Sequence, residues 1–339
     1  MYFNLNSTKL FFMIMLFFSS MIAISSNSWL SCWIGLEINL LSFIPLISNN
    51  NNLLYSEASL KYFLIQALAS SNFLFLILLF SFFLNFFDNQ NNFIKILLNS
   101  SLLMKMGAAP FHFWFTQILE GMTWFNSFIL MTWQKITPLI LLSYCYNYYF
   151  LIFSIILSSM IGSIGALNQI SLRKIMAYSS INHLSWMITA LILNENLFIF
   201  YLMIYFLLNL IMCMMFYLIN SFFINQLFYL NLMPLIKFLI FLNILSLGGL
   251  PPFLGFLPKW IMINYLINYN MLLLTMILIM FTLISLYYYI RISYSAFMMN
   301  YLQLKWFKFN FNNKINLFMI LNLMSLMFLI ISTMMYYLN

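Results

Sequence analysis

Valine is absent from this chain of 339 residues, acidic side chains number only five, and charged residues together make up 5% of it. A soluble domain carries about 25% charge, so a surface solvated by water on all sides is excluded. The acids are Glu37, Glu57, Asp88, Glu120 and Glu195; against 13 lysines and arginines they leave a net charge of +8. That excess is not a nucleic-acid footprint, because no basic patch with interleaved aromatics accompanies it. Lysines near segment ends read instead as headgroup anchors. Cysteine is equally sparse. Cys32, Cys145 and Cys213 lie in separate apolar segments without ligand spacing, which leaves buried thiols rather than a metal or disulfide scaffold. There is no C-x-x-C, no haem ligand pair and no nucleotide-binding loop, so the sequence displays no redox chemistry and no cofactor site of its own.

What is there is hydrocarbon. Apolar residues make up 65% of the chain, and the mean hydropathy is +1.00. The apolar runs are long and proline-poor, not short and alternating, which favours an all-α integral membrane bundle over a barrel. Runs of about 20 residues, each long enough for a ~30 Å hydrocarbon core, are marked off by Asn-rich breaks. They cover 8–25, 28–48, 57–84, 93–118, 123–146, 149–167, 172–193, 196–223, 236–267, 270–298 and 315–337, which predicts eleven transmembrane helices. The links are short, and the most polar stretch, 301–316 with Lys305, Lys308 and Lys314, reads as an interfacial connection. The expectation is one membrane domain over 1–339. The first run has its one basic residue, Lys9, at its start and lacks a small-residue cleavage site, so it does not read as a signal peptide.

Two helices are expected to be broken. Gly107-Ala108-Ala109-Pro110-Phe111 reads G-x-x-P-F, and so does Gly249-Leu250-Pro251-Pro252-Phe253. The first lies in the fourth segment and the second in the ninth. Five is odd, so matching helices would cross the membrane in opposite senses. This predicts approximate inverted repeats over 8–147 and 148–298 followed by a final helix at 315–337, a transporter-like arrangement with its path at broken helices.

Four charges stand where charge is most expensive. Lys105 lies about 12 residues into its segment, roughly 18 Å along a helix and near mid-membrane. Lys135 in TWQKITP is at a similar depth, Glu37 is central in WIGLEINLL, and Lys259 follows the second break in GFLPKW. Each such charge costs about 2.5–3.5 kcal/mol on insertion scales, so it should face a partner or water. Structural salt bridges would satisfy them too; snorkelling works only near a helix end. An ammonium stripped of water gives up its proton more readily, and a nearby carboxylate reverses the effect. Moving Glu37 relative to Lys105 would therefore load or release a proton. His183, in SSINHLSW among Ser179, Ser180, Asn182 and Ser185, is a candidate relay, and so is His112 directly after the first break. Either would serve equally as a hydrogen-bonded imidazole within the bundle. Glu57 and Lys61 read as an i,i+4 pair, Glu120, Asp88 and Glu195 as loop acids, and Arg173, Lys174 and Arg291 as interface anchors.

Together LEINLLSF, EASLKYFLIQALAS, KMGAAPFHFW, MTWQKITP, LRKIMAYSSINHLSW and LSLGGLPPFLGFLPKW resemble the subunit-2 family of mitochondrial NADH:ubiquinone oxidoreductase, respiratory complex I, with an insect-like order and spacing. The resemblance covers nearly the whole chain. It implies an antiporter-like membrane-arm subunit of the inner mitochondrial membrane that contributes to proton translocation. It also implies contact with the other complex I subunits and with lipid, while FMN, iron–sulfur clusters and ubiquinone would be bound elsewhere. In that family's pattern Glu37 would pair with Lys105 as the charge-modulated lysine, Lys135 would be the central relay, Lys259 would exchange with one side, and His112 and His183 would lie on the hydrophilic axis. Bacterial relatives are similar but carry three additional N-terminal helices. The composition agrees: many Met, Ile, Asn and Phe without valine fit a very A+T-rich, organelle-encoded gene. A stand-alone cation/proton antiporter and a purely structural scaffold are the competing readings. The first would call for more acids at depth than Glu37, and the second has no need of broken helices.

Overall fold

The computed structural model describes residues 7–48, 52–83, 91–229, 234–251 and 253–298. Among these, fourteen helices account for all regular structure except one antiparallel bridge between Ser171 and Phe223. They are α1 (Ser7–Ser25), α2 (Trp29–Ile47), α3 (Leu53–Phe83), α4 (Asn91–Met106), α5 (Phe113–Glu120), α6 (Trp124–Met131), α7 (Trp133–Tyr144), α8 (Tyr148–Ile164), α9 (Leu172–Leu193), α10 (Glu195–Ile219), α11 (Ile224–Tyr229), α12 (Pro234–Gly248), α13 (Phe256–Asn268) and α14 (Leu272–Met298). Two compact units divide the chain, Met1–Ser154 and Ile155–Asn339, with the boundary inside α8.

Five of these helices are long and apolar enough to cross a membrane by themselves: α1, α2, α3, α10 and α14. The sequence segments at 93–118 and 236–267 each resolve into two helices around a break, α4 with α5 and α12 with α13. A third interruption was not expected. The segment at 123–146 divides at Thr132, whose backbone (φ −113, ψ −70) separates α6 from α7. Its hydroxyl donates to the Phe128 carbonyl at 2.7 Å, giving the backbone a local alternative to the helical ladder. Pro138 lies six residues further on, inside α7, and supplies no N–H to that ladder. Two of the acids expected in loops are helical instead: Glu120 is the last residue of α5 and Glu195 the first of α10. The short α11 was not foreseen, and the expected helix at 315–337, the connection at 301–316 and Asp88 lie outside the described residues.

In the first unit α1 packs on α2, α2 on α3, and α3 on α4, while α7 contacts both α1 and α4. In the second unit α9 packs on α10 and α13, and α12 on α10 and α14. α9 is the most enclosed: 17 of its 22 residues are buried. It is about 33 Å long at 1.5 Å per residue, yet too polar to face lipid, so its serines, Asn182 and His183 are wrapped by neighbouring helices. Polar groups in such surroundings must be satisfied from within. Ser154, Ser158, Ser163 and Ser179 return their hydroxyls to carbonyls three residues back. Asn126 of α6 donates at 2.8 Å to the Leu46 carbonyl near the end of α2.

Glu57 and Lys61 form the expected pair, 2.6 Å apart on the surface of α3. An exposed pair of this kind contributes about 0.3–0.5 kcal/mol.

Candidate functional site

Both breaks are built from the same backbone hydrogen bonds. α4 ends at Met106, and Gly107 turns the chain with φ +70; its N–H donates to the Met104 carbonyl and that of Ala108 to Leu103. α12 ends at Gly248, and Gly249 turns with φ +85, its N–H donating to Ser246 and that of Leu250 to Leu245. These are Schellman closures, in which glycine adopts the left-handed backbone that other residues resist. The repetition continues: Phe111 N–H donates to Ala108 and Phe253 N–H to Leu250, then Phe115 to His112 and Leu257 to Leu254.

The carbonyls around the two breaks are capped by different side chains. In the first unit the donors are neutral. Gln66 of α3 donates at 3.1 Å to the Lys105 carbonyl, and Trp114 of α5 at 3.1 Å to that of Met104. In the second unit the donor is a cation: Lys259, in the first turn of α13, reaches the Gly248 carbonyl at 2.7 Å. An ammonium at a helix C-terminus meets the negative end of the helix dipole, which makes this a charge-assisted cap.

Lys105 and Lys135 are 7% and 2% exposed. They line one cavity of about 20 Å³, together with Asn39, Gln66, Gln134 and Thr137 among its polar residues. That volume admits roughly one water molecule. The walls suit one: the buried Thr137 hydroxyl has no protein partner, and the Gln134 amide donates to Asn39 Oδ1 at 2.9 Å. Each ammonium also lies over an aromatic face, Lys105 at 5.6 Å from the Phe73 ring centre and Lys135 at 4.7 Å from that of Phe115. Glu37 is half-buried on α2 and forms no ion pair with Lys105 among the described residues. His112 does not line the cavity. It is buried at the break, with Nδ1 3.3 Å from the Pro110 carbonyl and its ring 4.2 Å from that of Phe113.

In the second unit His183 is buried on α9, with Nδ1 2.8 Å from the Tyr201 hydroxyl and its ring 5.0 Å from that of Tyr205. The six candidates therefore fall into local groups. Glu37, Lys105, Lys135 and His112 belong to the first unit, and His183 and Lys259 to the second.

Sequence reasoning weighed charges and missed the neutral amides. Asn39, Gln66 and Gln134 stand in the quoted motifs, and the energetic argument that marks a charge at membrane depth marks an amide as well. Tyr62, Gln66 and Phe73 recur at helical spacings of four and seven, the signature of one face of α3. Lys237 was also passed over. It is 4% exposed in the first turn of α12, with Nζ 3.5 Å from the Phe228 carbonyl.

The profile of a family described as NADH:quinone oxidoreductase/Mrp antiporter, transmembrane, matches residues 26–285. The chain belongs to this antiporter family. It is similar to NADH-ubiquinone oxidoreductase chain 2 of Anopheles gambiae, 54% identical over 330 residues that cover 96% of this chain and 97% of the relative. It is also similar to chain 2 of Aedes aegypti, 52% identical over 340 residues, with 97% and 98% covered. Among solved structures, a chain of respiratory complex I from Thermus thermophilus superposes with a TM-score of 0.77 at 24% identity, over 85% of this chain and 70% of that one. At that identity the likeness establishes the fold. A transmembrane family agrees with a multi-pass membrane chain.

Proposed function

We propose that the chain is a membrane-arm subunit of respiratory complex I in the inner mitochondrial membrane, where it carries out proton transfer coupled to electron flow from NADH to ubiquinone. The observation that carries this reading is the cavity of about 20 Å³ that two buried lysines, Lys105 and Lys135, line together, with room for roughly one water. The names borne by relatives at above 50% identity support it. In this reading Glu37 biases the charge on Lys105, the cavity passes the proton to Lys135, and Lys259 exchanges protons at the second break. His112 and His183 serve as relays that take and return a proton through hydrogen-bonded neighbours. Halves 8–147 and 148–298 form inverted repeats, and the matched hydrogen-bond patterns at Gly107 and Gly249 support that pairing. The flavin, the iron–sulfur clusters and the quinone site belong to other subunits, so this chain's part in the enzyme is to bind and move protons. Neighbouring antiporter-like subunits are its partners.

Glu37→Gln tests the first step. The amide keeps the shape of the side chain and removes its charge, so NADH-driven proton uptake by the reconstituted complex should fall several-fold while assembly is retained. Wild-type proton uptake by an intact variant complex would show that the carboxylate has no part in the transfer.

A further inference from the structure

The aromatic faces beside the two lysines are not equivalent. Phe73 lies on α3, far from either break in sequence, whereas Phe115 is on α5, one turn after the break that follows Lys105. Phe115 is 1% exposed and joins two features. On one side it covers Gly107, where a Cβ would come within 2.8 Å of Phe115 Cβ and 3.0 Å of its Cγ. On the other, its ring faces the Lys135 ammonium with Nζ 4.7 Å from the centroid, and it lines the cavity between the lysines. The absent side chain of Gly107 therefore makes the room that the ring occupies, and the ring presents its negative face to the second lysine. A desolvated ammonium held in this way is stabilised in its charged form, and an aliphatic side chain of similar size supplies no such field.

We infer that Phe115 is a positioning residue for proton transfer: it holds the Lys135 side chain at the cavity, its ring offsetting part of the cost of burying the charged form, and couples that hold to the backbone of the Gly107 break. The inference rests on the proposed role of Lys135 as a proton relay. Because the ring fills the space over Gly107, any displacement of the break on a change of charge at Lys105 would be passed to the ring that faces Lys135. This gives the two lysines a mechanical link in addition to the shared cavity.

The test uses the assembled complex reconstituted in vesicles, with NADH oxidation and proton uptake both measured. Phe115→Leu should lower coupled proton uptake by about tenfold, and Phe115→Tyr, which keeps an aromatic face, should recover most of it. If the residue only fills space, leucine will be tolerated at least as well as tyrosine, and that ranking would overturn the inference. The double variant with Lys135→Met separates the two claims, since a residue that acts through Lys135 adds no further loss once the lysine is gone. A full additional loss in the Lys135→Met background would also overturn the role of Phe115. Should Lys135→Met itself leave proton uptake unchanged, the relay reading fails first, and the Phe115 inference fails with it.

Discussion

Replacing Lys135 by methionine should lower NADH-driven proton uptake by on the order of a hundredfold, the contribution expected of a positioned acid–base group, while leaving the complex assembled. Methionine matches the length of the lysine stem but cannot carry a proton. Removing one buried charge that rests on an aromatic face also removes its desolvation penalty, so stability should hold or improve. The methionine side chain ends where the lysine Cε lies, short of the Nζ position 4.7 Å from the Phe115 ring centre, so it keeps the apolar packing of the stem and leaves only the ammonium's place empty. The loss is therefore expected in turnover and not in folding. The measurement is NADH oxidation and proton uptake in vesicles alongside a native gel of the complex. Unchanged rates and unchanged protons per electron pair in an intact variant would remove Lys135 from the transfer path.

Gly255→Ala should have the opposite signature, failing in assembly before chemistry can be measured. Gly255 caps the start of α13, and a Cβ there would lie 1.8 Å from the Ser246 carbonyl oxygen near the end of α12. The group it meets is backbone, and a Cβ has no torsion that would turn it aside. The two helix halves must separate, at about 3 kcal/mol or more. Separation also draws Lys259 away from the Gly248 carbonyl it holds at 2.7 Å. The expected result is loss of assembled complex on a native gel, or a markedly lower melting temperature in whatever assembles. Wild-type abundance and melting would mean that the close approach of α12 to α13 is not required.

The two breaks were legible in the sequence because their cause is local. Glycine at 107 and 249 adopts the left-handed turn, proline follows within a few residues, and the chemistry repeats in the same order. The interruption at Thr132 was not legible. It depends on a hydroxyl bonding back to Phe128, which threonine in a membrane helix can do without ending the helix. The pairing of Glu37 with Lys105 illustrates the same limit. Charge types and depths marked both as costly, but whether they meet as an ion pair depends on the rotation of α2 and α4 about their axes, and they do not meet.

By itself the sequence determined that this is a helical membrane protein with lysines buried at depth beside two glycine–proline breaks. Those conclusions follow from composition and short-range backbone preference, which act within a few residues. Only the tertiary structure decided what the lysines face: a one-water cavity bounded by Asn39, Gln66, Gln134 and Thr137 for Lys105 and Lys135, and a helix-end carbonyl for Lys259. The reason is geometric. An amide or ring becomes part of a site only when helices distant in sequence turn the right faces toward one another, and that choice is made by packing across the whole unit.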